Sequence, residues 1–149
     1  MYRTTEATVF EVAFAIVAII VWALIIWLVH RAPDIVPTHF DASGKPNAYG
    51  TPAGATIPCV ILTIAAIVMM VLAYFPRHIN MPFKITNIRQ VELTIRQLRI
   101  AGITFLFLPL AVAYMMLGMK TPSATPLLVV VGLILLEFIV TSILIYRAK

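Results

Sequence analysis

Four apolar stretches, each about 20 residues long, leave this chain little choice of solvent. A bilayer core about 30 Å thick is crossed by a helix of that length, and inside it every backbone N–H and C=O must be bonded within the helix itself. The stretches run from about Thr8 to Val29, Ile57 to Phe75, Ala101 to Met119 and Leu127 to Tyr146. Hydrophobic residues make up 62% of the chain and charged residues 11%, and the mean hydropathy is +1.01. Those values exclude an ordinary soluble domain. The expected fold class is an all-α membrane protein. It is a four-transmembrane-helix bundle forming a single domain over the 149 residues, with an extracytoplasmic turn-rich loop (30–56) and a cytoplasmic amphipathic helix within the inner loop (76–100). The first span is expected to be retained, because Val29-His30-Arg31-Ala32-Pro33 after it offers no small-x-small cleavage site.

Orientation follows from lysine and arginine in the short connections. With the N-terminus inside, Arg3, Arg77, Lys84, Arg89, Arg96, Arg99, Arg147 and Lys149 are cytoplasmic, against Arg31, Lys45 and Lys120 outside. The expected place is therefore the bacterial cytoplasmic (inner) membrane, multi-pass, with both termini in the cytoplasm. The net charge of +5 belongs to these span ends and forms no soluble basic face, so it points to anionic lipids of the surrounding bilayer and not to nucleic acid. Trp22 lies too deep for the aromatic belt and is expected to pack between helices. The single cysteine, Cys59, excludes an internal disulfide and is read as structural.

The two long connections differ in kind. Pro33, Pro37, Pro46, Pro52 and Pro58 stud the outer one, where Asp41–Gly44 and Asn47–Gly50 each fit a β-turn, so a compact cap is expected. In the inner one Ile85, Ile88, Val91, Ile95 and Leu98 recur at helical spacing, and Arg89, Glu92, Arg96 and Arg99 form another stripe. This predicts an amphipathic helix at the cytoplasmic interface, capped by Thr86 and turning up into the third span. Arg89, Arg96 and Arg99 are its candidate contacts to lipid or to a soluble partner. Pro109 should kink the third span and free a carbonyl near Phe105.

Glu137 falls near the middle of the fourth span, where a charged carboxylate costs at least about 2.5 kcal/mol. Protonation or an interhelical hydrogen bond offsets that cost. With Thr141 one turn away and Glu11 near the cytoplasmic end of the first span, it forms the intramembrane polar set. His39 and Asp41 are weak candidates for a metal, a bare His-x-Asp pair with no HExxH or CxxC in support. No cofactor is expected, nor any catalytic constellation.

The outer segment Asp34-Ile35-Val36-Pro37-Thr38-His39-Phe40, followed by Gly44-Lys45-Pro46-Asn47 and Tyr49-Gly50, resembles the front membrane domain (domain of unknown function 1648) of bacterial SdpI-type immunity proteins. The inner segment Asn80 to Asn87 resembles it as well, and together they cover about Thr8 to Arg99. Two positions differ from the family pattern: Asn47 stands where an acid is usual, and Thr51 and Pro52 where a lysine often follows Tyr-Gly. SdpI-type proteins are also longer, with further spans. The resemblance implies a non-enzymatic role in immunity or signalling. An extracytoplasmic peptide would meet His39, Asp41, Gly44, Asn47, Tyr49 and Gly50, and a cytoplasmic protein would meet the arginine stripe.

Two other readings compete with this one. A small transporter or accessory subunit using Glu137 would need a homo-oligomer or larger membrane complex, and an outward-facing metal-dependent enzyme would rest on His39 and Asp41 alone.

Overall fold

The computed structural model describes residues 4–75, 84–118 and 123–148. Arg3, Arg77, Lys120 and Lys149 of the charge argument, and Asn80–Phe83 of the inner motif, lie outside them. Helix α1 spans Thr5–Arg31, strands β1 and β2 are Val36–Phe40 and Pro46–Gly50, and the short α2 is Pro52–Ala55. Then come α3 (Ile57–Leu72), α4 (Ile88–Phe105), α5 (Phe107–Ala113), a π-helical turn at Tyr114–Gly118, and α6 (Thr125–Arg147).

Four helical stretches are long and apolar enough to cross a bilayer: Thr5–Arg31, Pro52–Leu72, Ile88–Gly118 and Thr125–Arg147. The expected multi-pass architecture is thus present, and its boundaries follow local chemistry. Thr4 caps α1 by accepting from Ala7 N (3.2 Å), and Pro33 lies just beyond its end. Thr51 caps α2 in the same way through Gly54 N (3.2 Å), with Pro52 opening the helix. One turn before Pro109 the α-helix is interrupted at Leu106, and the carbonyl of Pro109 itself accepts from the buried Cys59 thiol (3.4 Å).

The third stretch differs from expectation. It starts at Ile88 instead of Ala101, and its 31 residues amount to about 46 Å of helix, well over the bilayer core. Counting about 20 residues back from Gly118 reaches Leu98, so the turns before it stand at or beyond the headgroups. Asn87, not Thr86, is the N-cap, accepting from Gln90 N (2.9 Å). Thr86 bonds to the Gln90 side chain instead (2.8 Å from its N–H, 3.1 Å from its hydroxyl).

The face that α4 turns to the bundle is also not the apolar one. Gln90, Thr94 and Gln97 are buried, whereas Ile88 is 77% exposed. Gln90 Nε2 donates to Ile145 O (3.1 Å) and Gln97 Nε2 to Phe138 O (3.4 Å). Two glutamines seven residues apart on α4 thus meet two carbonyls seven apart on the antiparallel α6. Each amide thereby gains a fixed backbone partner on α6, the part that buried polar side chains play between packed helices.

Close approach fixes the opposite side of α4. A Cβ at Gly102 would lie 2.9 Å from Met70 Cγ and 3.3 Å from the Ala66 carbonyl of α3. Trp22 packs between helices as expected, its indole N–H donating to Thr63 (3.2 Å). The core joins Val21, Ile25 and Leu28 of α1 to Cys59 of α3 and Leu106. Asn87 Nδ2 donates to Ala148 O (3.0 Å), and Arg96 pairs with Glu6, so both ends of the described chain lie at one end of the bundle. The β-hairpin stands at the other, its Gly44 against Ala124.

Candidate functional site

The hairpin is organised by one carboxylate. Asp41 Oδ1 accepts from Ser43 Oγ (2.7 Å), Ser43 N (2.8 Å) and Lys45 N (3.0 Å), while Gly44 N donates to Asp41 O (2.9 Å). These donors, the Ser43 hydroxyl first and the Lys45 amide next, hold the Asp41 carboxyl below its ordinary range. Gly44 has φ +77°, the left-handed conformation the turn requires. The first predicted turn is therefore present. The second is not: Asn47–Gly50 lies in β2, paired antiparallel to β1 with Val36 opposite Gly50, Pro37 opposite Tyr49 and His39 opposite Ala48. Cross-strand pairing satisfies the backbone groups that a local turn would have used.

Two register shifts flank His39. They leave its Nδ1 2.5 Å from Asn47 Oδ1. An amide oxygen only accepts, so Nδ1 donates in this bond. His39 and Tyr49, the latter 63% exposed, face outward, whereas Val36 is buried and roots the hairpin in the core. Gly50 sits close to Thr38, whose Cγ2 would be 3.1 Å from an added Cβ. The candidate metal pair is engaged otherwise, His39 with Asn47 and Asp41 with its turn. Among the described residues no three of His, Cys, Asp or Glu are grouped to hold an ion.

Inside the bundle, Glu137 Oε2 accepts from Thr104 Oγ1 of α4 (3.4 Å), and Oε1 is shielded with no partner among the described residues. Thr141 donates to the Glu137 backbone carbonyl (2.7 Å), not to its carboxylate. Glu11 accepts from the Tyr74 hydroxyl at the end of α3. The two carboxylates are thus engaged on different helices, and no path joining them is formed by these contacts.

The three arginines of the predicted stripe have different surroundings. Arg89 is exposed, and Arg96 Nε lies 2.8 Å from Glu6 Oε1. Arg99 is only 8% exposed, its guanidinium 6.0 Å from the Phe10 ring and 5.7 Å from the Tyr74 ring. It is therefore withdrawn from the outward stripe, because the aromatic rings of α1 and the α3 end give it a better setting than lipid. Tyr74, by its place at a span end expected in the aromatic belt, meets Arg99 and Glu11 instead. Gln90, Gln97, Glu6 and Phe10 were not among the predicted residues. The glutamines carried a signal, since Gln90, Thr94 and Gln97 recur at helical spacing; the other two acquire partners only through tertiary packing.

Comparison with known proteins reaches the same segment. Residues 16–64 match the model of a domain of unknown function (DUF1648), a stretch that takes in most of α1, the whole hairpin and the first half of α3. An uncharacterised protein of Archaeoglobus fulgidus is 30% identical over 81 residues, covering 49% of this chain and 44% of that protein. The chain thus spans less than half the length of that relative, and the likeness extends to an archaeon. No solved structure matches.

Proposed function

We propose that this is a non-enzymatic prokaryotic membrane protein that works through its outer hairpin, in the manner of SdpI-like immunity or signalling proteins. It would sit in the cytoplasmic membrane with both termini inside. The observation that carries this reading is the His39–Asn47 bond, which holds an exposed imidazole at a fixed place on a hairpin rooted in the core. The family match over residues 16–64 supports the reading by including this segment. Orientation is supported by the described basic residues: Lys84, Arg89, Arg96, Arg99 and Arg147 lie toward the terminal end, and Arg31 and Lys45 toward the hairpin.

The test is a cell-protection assay against secreted killing peptides in a host producing the chain. His39→Ala and Gly44→Val variants should insert normally and lose protection. Full protection by both variants would refute a role for the hairpin.

Glu137 favours a second reading, a small transporter or an accessory subunit of a membrane complex. A shielded carboxylate oxygen with no described partner is costly in lipid and is the kind of group that binds a proton or cation. Proton flux in proteoliposomes should then fall in Glu137→Gln, and unchanged flux would remove this reading.

A further inference from the structure

At the basic end of the bundle a cleft of about 210 Å³ opens between α4 and α6. Leu93 and Ile100 form one wall, Leu144 and Ile145 the other, and Arg96 lines it as well. Gln97 Nε2 and the Thr141 hydroxyl, which also reach it, are bonded to the carbonyls of Phe138 and Glu137. Arg96 and Gln97 aside, the cleft is lined mainly by aliphatic side chains. It is several times larger than the ~30 Å³ that a water occupies, and hydrocarbon fits it better.

Charge decides which molecule supplies that hydrocarbon. Arg89, Leu93, Arg96 and Ile100 follow one another at spacings of four, three and four, a single stripe of α4. Counted from Gly118, Ile100 falls inside the bilayer core, and Arg96 and Arg89 stand at the headgroups or beyond. Arg96 binds Glu6 through Nε only, so its two terminal amino groups have no partner among the described residues, and neither does Arg89. An apolar cleft open to the bilayer, with arginine donors at headgroup depth, matches a molecule with an acyl chain and a phosphate.

We propose that this cleft holds one acyl chain of an anionic phospholipid whose phosphate is bound by Arg96 and Arg89. The site is independent of the hairpin reading. It would fasten α6, the least buried of the four spans, to α4 on its membrane-facing side.

Native mass spectrometry of the detergent-solubilised protein, titrated with phosphatidylglycerol or phosphatidylcholine, tests the proposal, with circular dichroism confirming helix content in each variant. One phosphatidylglycerol should be retained in preference to phosphatidylcholine. Arg96→Gln and Arg89→Gln should each weaken retention about fivefold, and Leu144→Trp, which fills the cleft, should weaken retention of both lipids. Glu6→Gln frees Arg96 from its ion pair and should leave retention equal or tighter. Equal retention of the two lipids would overturn the proposal, and so would an indifferent Leu144→Trp. A parallel loss in Arg96→Gln and Glu6→Gln would make Arg96 a strut between α1 and α4 and nothing more. Displacement of the lipid by millimolar inorganic phosphate alone would overturn the acyl-chain half of the site.

Discussion

Gln97 of α4 donates its amide to the backbone carbonyl of Phe138 on α6, seven residues from the carbonyl of Ile145 that Gln90 takes. This repeat sets the register of the two helices. An interhelical hydrogen bond contributes about 1 kcal/mol, and registers that lose both bonds are disfavoured by about their sum.

Gln90→Leu and Gln97→Leu should each destabilise the protein by about 1 kcal/mol. Gln90→Leu should be the worse of the two, because it also strips Thr86 of its partner. Reversible unfolding in mixed micelles measures the difference.

Gly102→Val should cost about 1–3 kcal/mol by overpacking the α3–α4 contact, where the Ala66 carbonyl cannot give way as Met70 can. The same unfolding assay should show the loss, and Met70→Ala should relieve part of it.

Asn47→Ala and His39→Ala should each loosen the hairpin by about 1 kcal/mol and be non-additive together, since both remove one bond. Amide hydrogen exchange across residues 36–50 reads the effect, with the spans unchanged.

The turn should depend on pH through Asp41. Its carboxyl titrates below the ordinary value of about 3.9 when the turn is closed, so the charged form favours closure. That contribution is fully present above the open-state value and is lost as pH falls through the lowered closed-state value. Exchange of the Ser43 and Lys45 amides should therefore deviate toward faster opening in acid, relative to neighbouring amides, and Asp41→Asn should abolish the deviation.

Much of the architecture was legible in the sequence, for a reason that bilayers impose. Backbone groups in hydrocarbon must bond locally, so length and hydropathy alone determined four helices, and Asp41 with Gly44, and Pro109, marked a turn and a break through contacts with near neighbours, whereas the cap expected at Thr86 falls to Asn87. What the tertiary structure alone decided is which faces meet. The aliphatic stripe of α4 did not mark its inner face: the helix turns Gln90, Thr94 and Gln97 inward instead, because α6 supplies the carbonyls of Ile145 and Phe138 as partners for the two amides. Arg99 leaves its stripe for the rings of Phe10 and Tyr74, Asn47 exchanges a local turn for a strand and a bond to His39, and Glu137 finds Thr104 across a helix interface. Each of these joins residues distant in sequence or on different elements, where the partner is supplied by packing and the pattern of any one segment is silent.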